Sequence, residues 1–275
     1  MTSPTVRRRR LSSELRRRRV QAGLTLSDVA DELDWSPAKL GHIETGIRKW
    51  PSVMEVAALL QLYGVTGGQR EAILTMVRQS RLRPWWTDFQ DVVSSAYVGN
   101  EAGAAAIDTY TGMLVPDLLQ TPEYTSALAR GLGRTGPAVD RTVAAVLKRQ
   151  QLLDREGVER YAAILDEDAL RRVSPSLQRA QLARLIEEIE AGGPVTVRLI
   201  PTSAGLHGGL AGPFTLFEFD ADETALAFVA QPYGGRILES DDGVASCQEL
   251  WRALGRVACD PDATLRTLKR FALLV

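Results

Sequence analysis

Between Leu11 and Gln79 the chain is cut into short lengths by alternating helix starts and helix stops. Thr25 precedes an apolar repeat at Leu26, Val29, Ala30 and Leu33, the i, i+3, i+4, i+7 spacing of one helix face. Asp28 stands three residues after Thr25 as a capping-box partner. Ser36-Pro37 reads as N-cap and first turn of another helix, running to Thr45 and stopped by Gly46. Ser52 with Glu55 is a full capping box for a helix over Val53–Tyr63, ended by Gly64. Leu11, Leu15 and Val20 are expected to share a face of a first helix stopped by Gly23, and Gly67–Gln79 forms a fifth. Helices this short are marginal alone, so they must pack on one another. The expectation is a five-helix unit over 11–80, preceded by a basic, disordered arm over 1–10.

Charge divides the chain at the same place. Residues 1–84 hold 15 Lys/Arg against 8 Asp/Glu and residues 85–275 hold 18 against 26, so a head at +7 joins a body at −8. A basic head on an acidic body points to a head that meets polyanions. The 275 residues favour about two domains. No apolar run reaches the ~18 residues of a membrane span, and MTSPTVRRRR is not followed by the apolar stretch of a secretory signal. Cys247 and Cys259 are too few for a disulfide framework. These features lead to an expected cytoplasmic location with no membrane partner.

Past the Arg81–Trp86 linker the texture changes, and 81–275 is expected to be an α+β domain. Helices are predicted over Glu101–Met113, Pro122–Leu132, Asp140–Arg155, Leu177–Glu190, Val244–Ala258 and Thr264–Leu274. Strands are predicted at Tyr161–Leu165, Val195–Ile200, Phe214–Phe219, Ala225–Val229 and Arg236–Leu238, separated by Gly/Pro/Asp turns and read as an antiparallel sheet. The fold class is therefore mainly α, with a second domain of helices and antiparallel sheet.

The second and third helices, joined by Asp34-Trp35-Ser36, have the layout of a DNA reader. One helix crosses the backbone, and the next presents small or polar residues to the major groove. Leu40 and Ile43 are expected to face inward, leaving Pro37, Ala38, Lys39, Gly41 and His42 outward. The stretch Leu15–Val65 resembles the XRE-type helix-turn-helix regulators, the family of the phage repressors. The matching elements are Arg-x-x-x-Gly-Leu-Thr before the second helix, Ala30 at its small-residue position, and Ile43-Glu44-x-Gly46 closing the third. That resemblance implies a lambda-repressor-like head, double-stranded DNA as partner, and a structural ion pair between Arg19 and Glu44. Leu26 replaces the glutamine usual after the capping threonine, so base readout falls to Lys39 and His42, with Ala38 against a thymine methyl. The expected DNA-facing set is Thr25, Ser27, Ser36, Pro37, Ala38, Lys39, His42, Arg48 and Lys49, aided on phosphates by Arg7–Arg10.

The rest of the chain also carries a resemblance. Trp85-Trp86, LVPDLLQTPEY, LKRQQLLDRE, ILDEDALRR and LIPTSAGLHGGLAGPFTLFEF are similar to the C-terminal domain of actinobacterial XRE regulators, including the WhiJ-like ones. Those domains are described as antitoxin-like and are often encoded beside a small partner protein. The resemblance does not carry that domain's biochemistry. The expected protein is a homodimeric transcriptional regulator whose C-terminal domain dimerises, receives a signal or partner, or does several of these, the candidates being a small-molecule effector or a small acidic partner protein. The competing reading is an antitoxin-like protein that holds a partner and autoregulates through DNA.

An enzyme is the least supported class. Gly205–Gly212 lacks the Gly-Lys-Ser/Thr ending and the following helix that hold phosphate, and reads as a strand-to-strand turn. His207 has no nucleophile elbow to serve. Two histidines and two distant cysteines make no metal set. Asp166, Glu167 and Asp168 are read as capping a helix. No catalytic residue, metal or cofactor is expected.

Overall fold

The computed structural model describes residues 3–48, 50–154, 157–220, 223–231 and 234–275. The chain divides into two compact units, Met1–Thr87 and Asp88–Val275.

The first unit holds five helices among the described residues: α1 (Pro4–Gln21), α2 (Leu26–Glu32), α3 (Pro37–Glu44), α4 (Val53–Leu62) and α5 (Gly67–Ser80). Leu11 and Leu15 of α1 are buried with Val29, Leu40, Ile43, Val56, Leu59, Leu60, Ile73, Leu74 and Val77 in one core. Two sequence expectations are corrected here. Residues from Pro4 to Arg10 are helical rather than a disordered arm. Ser3 caps the helix through the Val6 amide, Pro4 starts it, and Val6, 1% exposed, pins it down. Val20, expected on the buried face, is exposed, because five residues past Leu15 is about 140° around a helix.

The second unit is built on one six-stranded sheet among the described residues: β1 (Ala106–Thr111), β2 (Arg160–Asp166), β3 (Val195–Ile200), β4 (Phe214–Glu218), β5 (Leu226–Gln231) and β6 (Gly234–Leu238), in the order β3-β2-β1-β4-β5-β6. It is mixed, not antiparallel. β1, β2 and β3 run parallel, while β1–β4, β4–β5 and β5–β6 are antiparallel pairs. Parallel neighbours need long crossovers, and helices supply them. The β1–β2 crossover holds α7 (Pro122–Gly131) and α8 (Pro137–Gln150), and the β2–β3 crossover holds α9 (Pro175–Glu190). The helix predicted over Asp140–Arg155 stops earlier: α8 ends at Gln150 and a 3-10 turn follows over Gln151–Leu153, while Arg155 itself lies outside the described residues.

The largest miss is β1. Glu101–Met113 is not a helix: α6 (Ser95–Glu101) ends there, and Ala106–Thr111 forms a central strand. Five of its six residues are buried, so it lacks the polar alternation of a half-exposed strand. Its alanine-rich approach favours a helix locally, and pairing on both edges overrides that preference. The Gly205–Gly212 segment is likewise no simple turn. It joins β3 to β4, two strands with β2 and β1 between them, through two 3-10 turns, Thr202–Ala204 and Gly208–Ala211.

Both sheet faces are covered. One carries Ile107, Tyr161, Val197 and Phe217 against Leu182 and Leu185 of α9 and Leu268 and Phe271 of α11 (Pro261–Ala272). The other carries Tyr110, Ile164, Phe214 and Leu216 against Val244 and Leu254 of α10 (Asp241–Val257). Asp166 does not cap the 3-10 turn that follows it. Its carboxylate accepts the Tyr110 hydroxyl at 3.2 and 3.3 Å and lies 3.5 Å from His207 Nε2. As the last residue of β2, Asp166 takes partners from β1 and from the β3–β4 connection in place of a local amide. Burial, the largest influence, pushes the Asp166 carboxyl up.

Candidate nucleic-acid interface

The helix pair α2–α3 is set by three local devices. The Thr25 hydroxyl accepts the Asp28 amide at 3.1 Å while Asp28 accepts the Thr25 amide at 2.8 Å, a reciprocal box at the start of α2. At its end Asp34 is left-handed, with φ 52°. The Trp35 amide then reaches back to the Ala30 carbonyl at 2.8 Å and the Asp34 amide to Asp31 at 3.4 Å. That is a Schellman closure with aspartate where glycine is usual. Two residues on, the Ser36 hydroxyl accepts the Lys39 amide at 3.1 Å and Pro37 opens α3. Ala30, 0% exposed, keeps the close-packed side of α2 small.

Arg19 and Glu44 brace this pair against α1. Arg19 Nε and Nη2 donate to the two Glu44 carboxylate oxygens at 2.7 and 2.9 Å, and Nη1 donates to the Leu24 carbonyl at 2.7 Å. The side chains are 11% and 4% exposed. One guanidinium thus ties together the end of α1, the turn before α2 and the end of α3. The Glu44 hydrogen bond raises the Arg19 guanidinium and outweighs its burial.

The outer face of α3 divides into two parts. Ser36, Pro37, Ala38 and His42 are exposed, as are Thr25 and Ser27 beside them. Lys39 is half-buried instead of projecting freely, and Gly41 is half-buried too. The Lys39 ammonium sits 3.7 Å from the Trp35 ring centroid and 3.1 Å from the Glu55 carboxylate. Arg48 reaches the same Glu55 oxygen at 2.7 Å. Glu55 also closes the α4 cap, accepting the Ser52 amide at 2.7 Å. Burial pulls the Glu55 carboxyl up, but the Ser52 and Lys39 contacts outweigh it and hold the group below its ordinary value. Lys49 lies outside the described residues. On α1, Arg8 lies 5.7 Å from the Trp50 ring centroid and donates to Pro4 and Thr5.

Trp35 and Glu55 are the residues that the sequence reading passed over. Trp35 and Lys39 stand four apart, a spacing that places side chains together at a helix start, so that contact was open to detection. From sequence spacing Glu55 declares only its cap with Ser52; its contact with Lys39 comes from the packing of α3 on α4.

Among the described residues no helix is long and apolar enough to cross a membrane, and no three His, Cys, Asp or Glu side chains are grouped to hold a metal ion. Residues 10–73 match a family described as helix-turn-helix domain. This match identifies the first unit as a DNA-binding domain and the chain as a DNA-binding regulator. No curated protein and no solved structure matches the chain. Residues 94–270 match the family described as domain of unknown function (DUF5753), and this match spans more than half of the sequence. The chain therefore belongs to the DUF5753 family and carries a helix-turn-helix domain ahead of the family's own domain.

Proposed function

We propose that this protein is a sequence-specific transcriptional regulator of the XRE, lambda-repressor-like type. In this reading α3 enters the major groove of double-stranded DNA, and two chains act together as a homodimer. The observation that carries the reading is the braced α2–α3 pair, with an exposed Ser36, Pro37, Ala38 and His42 face presented by the Arg19–Glu44 fork. His42 is the free base-reading side chain. Lys39 and Arg48 are cations that Glu55 holds in reserve and that phosphates compete for. Thr25 and Ser27 lie where a phosphate meets the α2 N-terminus. In this reading the second unit serves dimerisation, the reception of a signal or partner, or both.

The test is selection of bound sites from a random double-stranded pool with the full chain, followed by titration. The recovered sites should be inverted repeats with half-sites one helical turn, ~34 Å, apart. Lys39→Ala with His42→Ala should weaken the selected site by more than random DNA, while Arg7–Arg10 replaced by alanine should weaken both and flatten the salt dependence. No enrichment over the starting pool would refute the reading. Equal binding by the double variant would remove α3 as the reader.

A further inference from the structure

The second unit contains a cavity of about 320 Å³ where the parallel and antiparallel halves of its sheet meet. This is at the small end of the ~300–1,000 Å³ range of small-molecule sites. Thr109 of β1 and Thr215 of β4 contribute hydroxyls 3.0 Å apart, and the Tyr97 hydroxyl of α6 stands 3.5 Å from Thr215. Tyr97, Tyr161 and Phe228 give the cavity an aromatic lining, with the Tyr97 and Phe228 rings edge to face at 4.8 Å.

Charge decides what such a cavity accepts. Among the described residues its charged lining is Arg149, Glu101 and Asp117. Arg149 Nε and Nη2 donate to both Glu101 oxygens at 2.7 and 2.8 Å, and Nη1 donates to Asp117 at 2.6 Å. One cation therefore faces two carboxylates, and the lining is left with one net negative charge. Arg149, which alone would attract an anion, is 5% exposed and already forked on Glu101, itself 3% exposed. Asp117 is 49% exposed, so the uncompensated charge lies on the solvent side. Half-exposed, that charge is partly screened by water, yet its sign still disfavours phosphates and carboxylates and favours an ammonium. The rings add the quadrupole that favours flat apolar groups and cations.

We propose that this cavity binds a small aromatic amine, its ring among Tyr97, Tyr161 and Phe228 and its ammonium on Asp117. The proposal is independent of DNA binding, and its test involves no DNA. Three probes of one size are titrated into the full chain by calorimetry: 1-naphthylmethylammonium, 1-naphthalenemethanol and 1-naphthoate. The amine should bind about tenfold more tightly than the alcohol, and naphthoate should give no heat. Asp117→Asn should bring the amine down to the affinity of the alcohol. Ala230→Phe, filling the cavity from β5, should abolish binding of both. Should that variant not melt like the parent, the probe order and Asp117→Asn decide the matter. The proposal is overturned if naphthoate binds as well as the amine, if Asp117→Asn leaves the preference intact, if a folded Ala230→Phe still binds, or if no probe binds at millimolar concentration.

Discussion

Replacing Glu44 with alanine strands the Arg19 guanidinium, and the structure sets the size of the effect. Two charge-assisted bonds, 2.7 and 2.9 Å, are lost from a group that is 11% exposed. Breaking a buried pair by removing one partner costs ~3–5 kcal/mol. Arg19 keeps the Leu24 carbonyl at 2.7 Å and some access to water, which places the loss near the lower end, about 3 kcal/mol. That is a large share of the 5–15 kcal/mol that holds a whole domain together. At 1.4 kcal/mol per tenfold, the opening equilibrium of the first unit should rise about 100-fold. Hydrogen exchange of the full chain, read by peptide, is the assay. Amides of α2 and α3 should exchange about 100-fold faster, with peptides of the sheet, 106–238, unchanged. The double variant Arg19→Met, Glu44→Met should recover most of the protection, because apolar replacement of a buried pair is often neutral or better. Glu44→Ala exchange within threefold of the parent would refute the brace. A double variant as labile as the single one would show that the charge itself is not the cause.

Three further outcomes follow from local geometry. Asp34→Gly relieves the one non-glycine residue at positive φ among the described residues, and should raise stability by about 1 kcal/mol in a denaturant melt of the full chain; a lower midpoint would count against the Schellman assignment. A Cβ at Gly209 would lie 2.4 Å from the ring of Tyr110, which is 0% exposed and has no room to yield. Gly209→Ala should therefore cost ~1–3 kcal/mol, and an unchanged melt would mean that the crossover moves freely. Glu55 is held below its ordinary 4.5, so its contribution is present above that value and lost as pH falls through the lower folded value. The stability gap between the parent and Glu55→Gln, measured by urea titration at a series of pH values, should be widest near neutrality and close in acid; a gap that widens in acid would contradict the direction.

The helices of the first unit were legible because their signals are local. Thr25 with Asp28, Ser36 with Pro37, and Ser52 with Glu55 act within three residues, and sequence spacing alone states them. The apolar repeat of α2 and the placement of Leu40 and Ile43 likewise follow from helix geometry. The Arg19–Glu44 fork was reached through family resemblance, since nothing in a separation of 25 residues announces a contact.

Tertiary structure decided the rest. Whether Ala106–Thr111 became strand or helix depended on having β2 on one edge and β4 on the other, partners 54 and 112 residues away at Ala106. Sheet direction depended on which strands the crossovers brought together, a choice that strand propensity does not encode. Lys39 looked free from its place on α3, and only the packing of α4 brought Glu55 to its ammonium. The Arg149, Glu101 and Asp117 cluster draws on α8, α6 and the segment after β1, so its charge balance exists only once those three segments meet. Short-range backbone and capping energies are written residue by residue; the partners of a central strand or a buried charge are fixed by chain closure over long distances, and the sequence states them only through the fold.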